Sequence, residues 1–315
     1  VIEMMGMKKS VIFLLIVLLG CAGTTTKDST AQVSDFRVGT EGLSMSFVPN
    51  LPPPRLFGGE PFNAMIQIEN KGTADFQPGS LFIYLSGFDP TIITGLYSTG
   101  QGLNEILRGR GPYMPKGDVS AVNFNGRIAA LPVDKYNPTI MATACYEYTT
   151  TAGAQVCVDP NPYAPTSIQK VCTPSAVSLG SQGAPVAVTS VEVNPSPGVT
   201  RFTIHISNIG GSTVFKPGKL AECSPYGAGL TFNDVDFVQV VDVKISGSSI
   251  KNKCRPIDKD FIRLTNGVAS LFCELPKESL RGEAAYLTPL NVVLKYGYRQ
   301  SISTSLDIRP SYAIT

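Results

Sequence analysis

One series of landmarks occurs twice along this chain, in the same order, and that repetition constrains the fold more than any other feature. In the first copy an alternating run from Phe62 leads to Asn70-Lys71-Gly72, and in the second a run from Phe202 leads to Asn208-Ile209-Gly210. Phe76-Gln77-Pro78-Gly79 is answered 139 residues later by Phe215-Lys216-Pro217-Gly218. Asn125-Gly126 followed by Leu131-Pro132 matches Asn266-Gly267 followed by Leu275-Pro276. Tyr146-Glu147-Tyr148 returns as Tyr296-Gly297-Tyr298, now 150 residues on. The spacing grows while the order holds, so the copies differ by insertions in loops.

Each copy reads as β structure. Ile66 and Ile68 alternate with Gln67 and Glu69, and Phe202, Ile204 and Ile206 with Thr203, His205 and Ser207. This is the period of a half-buried strand. Asn and Gly after each run supply the positive φ that a turn needs. Residues 235–245 form another long strand candidate. Residues 140–148 and 155–158 read as a closing hairpin around 151–153, with 290–298 and 303–308 as its counterpart. About seven strands per copy, joined by Pro- and Gly-rich turns, give an all-β fold of two tandem immunoglobulin-like β-sandwich domains. The expected boundaries are a leader over 1–20, a Thr/Ser-rich tether over 21–34, sandwich one over 35–163, a connector over 164–183 and sandwich two over 184–310.

The N-terminal segment fixes the expected compartment. Met7-Lys8-Lys9-Ser10 precedes an apolar run from Val11 to Gly20, too short for the roughly 20 residues that span a bilayer. Met7 reads as the natural initiator, with residues 1–6 an over-extended start. The sequence Leu18-Leu19-Gly20-Cys21 resembles the lipobox of prokaryotic lipoproteins. That resemblance implies cleavage before Cys21 and lipid on its sulfur, placing the protein outside the cytoplasm and tethered to the outer face of the membrane or envelope. An alternating strand, then Asn-x-Gly, then Phe-x-Pro-Gly is similar to CARDB-like modules of bacterial and archaeal surface proteins, and the repeats look most like archaeal surface lipoproteins. This implies an extracellular interaction or structural module and brings no catalytic residues.

Seven cysteines divide into Cys21 and six others, Cys145, Cys157, Cys172, Cys223, Cys254 and Cys273. An even set in an exported chain points to disulfides. Zinc would want close ligand pairs and histidine, whereas the gaps here are 11, 14, 50, 30 and 18 residues with one histidine in the chain. Cys145 and Cys157 straddle the turn proposed at 151 and are expected to pair. Of the remaining pairings, Cys254–Cys273 with Cys172–Cys223 is preferred.

Other constellations favour bland roles. His205 sits on the polar side of its strand, and no Gly-x-Ser-x-Gly elbow accompanies it. Asp234 with Asp236, and Asp258 with Asp260, could serve glycosidase-type chemistry or a weak calcium site, but neither has a full ligand series. Arg108-Gly109-Arg110 and the adhesion-like tripeptide Lys116-Gly117-Asp118 read as solvated loops. Tyr146, Tyr148, Tyr296 and Tyr298 favour packing over an exposed ligand face. With 26 basic and 24 acidic residues the chain has no electrostatic reason to bind nucleic acid, and no cofactor or metal is expected. The leading expectation is a non-catalytic surface protein that binds a protein, a glycan or another cell. An assembly component pairing through strand edges, and an exported hydrolase, are the alternatives. The loops that differ between copies, 87–114, 224–233 and 246–260, are the expected binding surfaces.

Overall fold

Two twenty-residue strands, Thr139–Val158 and Tyr286–Ser305, run antiparallel and pair along their whole length. The computed structural model describes residues 36–96, 100–164, 170–280 and 282–311. Cys21, the leader and the tether therefore lie outside the described residues. Every even-numbered residue from Ile140 to Val158 is buried, as is every one from Thr288 to Tyr298. That unbroken even-numbered series gives each strand one continuous core face.

The two expected hairpins are therefore corrected: neither turn forms. Thr149, Thr150 and Thr151 are β-branched and favour extension. Gly153 stays in the ladder opposite Asn291. The turn proposed at 151–153 is the middle of a strand, and the partner comes from the other copy.

Around this pair lies an eight-stranded sheet. Leu81–Ser86 and Gln101–Gly102 extend it on one side, and Phe237–Ile245 and Ser248–Ser249 on the other. Thr213–Phe215 pairs with the second central strand and Phe261–Arg263 with Phe237–Ile245. Two smaller sheets form with the same strand order. In the first half it is Leu43–Phe47, Pro61–Asn70, Val119–Ile128, Ile93–Thr94. In the second, Val186–Ser196, Val199–Asn208, Val268–Pro276 and Cys254–Arg255 follow that order, with Val177–Ser178 added outside. The all-β, sandwich-like architecture read from the alternation is thus present.

The register turns the repeat into an internal two-fold. Tyr146 lies opposite Tyr298, Glu147 opposite Gly297, and Tyr148 opposite Tyr296. All four tyrosines are buried, with neighbouring ring centroids 5.6–6.4 Å apart. Phe76 joins them at 5.2 and 5.3 Å from Tyr146 and Tyr148. Tilted and edge-on aromatic contacts of this kind contribute roughly 0.5–1.5 kcal/mol each beyond area burial. Packing, rather than ligand display, is their role.

Equivalent hydrogen bonds surround the axis. Tyr148 Oη accepts from the Ala74 N–H at 3.1 Å, and Tyr298 Oη from the Ser212 N–H at 2.9 Å. Asn70 and Asn208 donate to the carbonyls of Ala74 and Ser212, at 2.9 and 2.7 Å. Gly72 and Gly210 donate to the Gly42 and Pro185 carbonyls. A Cβ on either glycine would strike the docked tyrosine hydroxyl, which is why glycine closes both turns.

Each central strand also crosses to the opposite half. Thr150 Oγ1 donates to the Val186 carbonyl at 2.6 Å, and Gln300 Nε2 to the Leu43 carbonyl at 2.8 Å. After the second strand, Asp307–Arg309 pairs in parallel with Arg55–Phe57 of the first half. Residues 35–315 accordingly form one compact unit.

One landmark match is corrected by register. Asn266-Gly267 forms the positive-φ turn before Val268–Pro276, whereas Asn125-Gly126 lies within Val119–Ile128. Asp118 and Gly267 are the equivalent pair, the carbonyl of each accepting from the backbone N–H of the matching asparagine, Asn70 or Asn208.

Tyr298→Phe leaves the Ser212 N–H without its acceptor and is expected to destabilise the fold by roughly 1–3 kcal/mol. A urea melt should show a lower midpoint with an unchanged slope.

Candidate interaction surface

Three disulfides staple the scaffold: Cys145–Cys223, Cys157–Cys172 and Cys254–Cys273. The last is the expected pair; Cys145–Cys157 and Cys172–Cys223 are corrected. Cys145 and Cys157 lie on one straight strand, about 40 Å apart at a strand's rise. Such bonds mark a protein that matures outside the reducing cytoplasm. Among the described residues no helix is long and apolar enough to cross a membrane.

Cys145–Cys223 anchors the short helix Leu220–Cys223 to the outer face of the central sheet. The Gly218 N–H donates to Glu147 at 2.6 Å, and Tyr226 Oη donates to the Leu85 carbonyl. Tyr84, Cys145, Phe215 and Cys223 form a small second core there, with Phe82, Leu220 and Leu230 packed around it. Phe215 lies on Gly297, where any side chain would collide with its ring. The insertion peculiar to the second half is thereby fixed across strands of the first.

Its far end meets a second segment. The turn at 231–236 is latched by Asp234, whose carboxylate accepts from the Thr231 N–H at 3.0 Å and from its hydroxyl at 2.5 Å. These bonds hold Asp234 below the usual carboxylate range. The latch is therefore intact at neutral pH and above the ordinary carboxylate pKa, and is lost only as acid reaches the lowered one. The backbone N–H of Leu264 donates to the Asp236 carbonyl at 2.7 Å, joining this turn to Phe261–Arg263.

Phe232 results as an exposed ring, 71% accessible, with the Arg263 guanidinium 3.6 Å from its centroid. Arg263 also donates to the Phe232 carbonyl at 3.3 Å and lies 5.1 Å from the Phe237 ring. Lys216 stands 4.2 Å from the Phe237 centroid and 5.4 Å from that of Phe261. Cation–π contacts of this kind contribute about 0.5–1 kcal/mol at exposed sites. Three phenylalanines and two cations thus form one surface. It can stack a ring or an apolar edge while offering N–H donors beside it.

Loop divergence pointed to 224–233 but missed Lys216, Phe261 and Arg263. Their signal was Phe261-Ile262-Arg263 itself, where Ile262 is buried and its neighbours face out. The segment 246–260 is only partly here. Ser248–Ser249 pairs at the far end of Phe237–Ile245, and Cys254 is tied to Cys273.

The remaining candidates take structural positions. Asp258 pairs through its backbone with Phe261, the Asp260 carboxylate lies 2.7 Å from Lys251 Nζ, and the Asp234 carboxylate is engaged by Thr231. His205 lies between Ser270, 3.1 Å from Nδ1, and Glu192, 3.2 Å from Nε2. That serine–histidine–carboxylate row crosses three adjacent strands on an outer sheet face and braces them. The described residues contain no group of three or more His, Cys, Asp or Glu placed to hold a metal.

Arg108-Gly109-Arg110 and Lys116-Gly117-Asp118 do meet, as a clasp. The Arg108 N–H donates to the Asp118 carboxylate at 2.9 Å, and the Asp118 N–H returns to the Arg108 carbonyl at 2.9 Å. Gly109 donates to Asp75, and Arg110 Nη2 to the Val38 carbonyl. From this clasp the 87–114 loop lines a cleft of about 620 Å³.

No family model matches the chain, and no curated protein does. Among solved structures it is similar to the secreted serine protease VesC from Vibrio cholerae, at 13% identity, covering 84% of this chain and 51% of that one, with a TM-score of 0.19. Escherichia coli alpha-2-macroglobulin activated by porcine elastase is similar at 11% identity, over 86% and 33%, with a TM-score of 0.19. The chain spans about half and a third of the lengths of these two proteins.

Replacing Cys145 and Cys223 by serine is expected to cost roughly 2–4 kcal/mol. Hydrogen exchange should then rise across residues 218–230 while the ladder between the central strands stays protected.

Proposed function

We propose that this protein is a non-catalytic, lipid-anchored surface protein whose two immunoglobulin-like halves present a binding surface to another surface protein or a glycan. The observation that carries this reading is the convergence of two segments, 231–236 and 261–263, into an exposed aromatic–cationic surface. Phenylalanine and arginine are enriched at protein interfaces, and arginine is among the residues that most often dominate their binding energy. The lipobox-like Leu18-Leu19-Gly20-Cys21 and the polar tether supply export and attachment. Lipid on Cys21 then anchors the chain by two-chain burial, at about 0.8 kcal/mol per CH₂.

Glycan-array binding and crosslinking on intact cells test the surface, comparing the native chain with Phe232→Ala and Arg263→Ala. Loss of a captured glycan or partner with unchanged melting supports the reading. Unchanged capture by both variants contradicts it. Turnover of a glycan or peptide, abolished by Asp234→Asn or Asp236→Asn, replaces it with the hydrolase alternative.

Anchoring has its own test. Cys21→Ser should release the protein from the membrane fraction or leave it unprocessed, with its lipid-dependent mobility shift gone. Retention of a processed, lipid-bearing chain refutes attachment at Cys21.

A further inference from the structure

The two halves close one equivalent backbone position differently. Gly42 and Pro185 are equivalent, because each carbonyl accepts two N–H groups of an Asn-x-Gly turn, those of Lys71 and Gly72 or of Ile209 and Gly210. Three residues on, Met45 pairs with Ile68 as Val188 pairs with Ile206. Leu43–Phe47 is the outer strand of its sheet, and Val186–Ser196 is covered by Val177–Ser178 only further along, at Ser190 and Val191. Met45 and Val188 are therefore both edge positions.

Register shows which way their backbone groups point. The bonds from Gly42 to Lys71 and from Val48 to Met65 put even-numbered residues of the first strand in contact with its neighbour. Met45 thus directs its N–H and C=O away from the sheet. The bond from Ile209 to Pro185 turns Val188 outward by the same parity. Val188 is capped there by a single side chain. Its N–H donates to Gln182 Oε1 at 2.9 Å, and Gln182 Nε2 donates to its carbonyl at 3.0 Å. A primary carboxamide can do this because it offers a donor and an acceptor side by side. Gln182 stands three residues before Pro185; three before Gly42 stands Gly39, which has no side chain. The Gly39 N–H and C=O are committed to Ser181 and Gly183. Among the described residues no group bonds the N–H or C=O of Met45. A cleft of about 230 Å³ opens there instead, bordered by Met45, Ser44, Thr40, Glu41, Ser301 and Ile302.

We propose that this cleft binds a small ligand through a primary carboxamide, L-glutamine being the simplest example, whose amide takes on Met45 the place that Gln182 takes on Val188. The second half shows what fits, since its own occupant at the matching residue is a glutamine side chain. Size and charge narrow the class. The volume equals that of roughly eight waters in the liquid, which suits a ligand of amino-acid size. Glu41 adds a carboxylate to the lining, which favours an ammonium beside the amide and disfavours a second carboxylate. The inference stands on this cleft alone and requires neither the lipid nor the aromatic surface.

The probe is L-glutamine, titrated into the whole protein and read by calorimetry and by amide hydrogen exchange. Near saturation, exchange at Met45 should slow at least tenfold, while Val188, already capped, stays unchanged. L-Glutamate and L-methionine have side chains of similar length but no N–H donor, and should bind at least tenfold more weakly. Met45→Pro removes the outward N–H without touching the ladder to Pro61–Asn70 and should weaken glutamine binding at least tenfold, whereas Met45→Leu should keep it. Should Met45→Pro fail to fold, the comparison of the three amino acids decides alone. Equal binding of glutamate or methionine, no binding of glutamine at millimolar concentration, or protection placed elsewhere overturns the proposal. So does a Met45 amide already protected in the free protein, which would show the cleft closed by the chain itself.

Discussion

The rest of the structure depends on the pairing of Thr139–Val158 with Tyr286–Ser305. A strand of twenty residues is far longer than the five or six usual in globular domains. Its first part serves one half and its last part the other, so neither half holds all the strands that cover its core. Tyr146, Tyr148, Tyr296 and Tyr298 fill the crossing, and their hydroxyls reach out to fix the Asn-x-Gly turns of both copies. Sequence repetition becomes an isologous contact within one chain, with the geometry a symmetric dimer would use.

Much of this was legible in residue order, because side-chain alternation depends only on local period. Ile66, Ile68, Ile204 and Ile206 are fully buried where the pattern placed them, and the tyrosine pairs pack as expected. What alternation cannot state is the partner. Thr151 and Gly153 look like a turn by composition, yet the buried face continues through Ala152 and Ala154. Misplacing that turn also misassigned Cys145, whose partner Cys223 sits on a four-residue helix inside an insertion. Cys254 and Cys273 were easier because they lie directly opposite each other on neighbouring strands. The clustering of Lys216, Phe232 and Arg263 depends on where two loops return, and no local pattern encodes that return.

The halves differ chiefly in their loops and insertions. A shared scaffold explains why the strand markers persist, and free loops explain where the copies diverge. The second half spends its insertions on the stapled cover over Cys145 and on the Phe232 surface. Among the described residues the outer edge of Val268–Pro276 is paired at Phe272 and Cys273, whereas that of Val119–Ile128 is paired at Arg127 and Ile128. Surface groups on such a body are held by disulfides and ladder bonds, so in the proposed binding role little order would have to be gained when a partner arrives.

Differential scanning calorimetry of the oxidised protein tests the fused two-fold body most directly. If the central strands make the halves interdependent, residues 35–315 melt in one transition whose calorimetric and van't Hoff enthalpies agree. The specific enthalpy should then be near 0.7 kcal/mol per residue around 60 °C, summed over both halves. Two resolved transitions, each with about half that heat, would contradict it and show that the halves fold as separate domains.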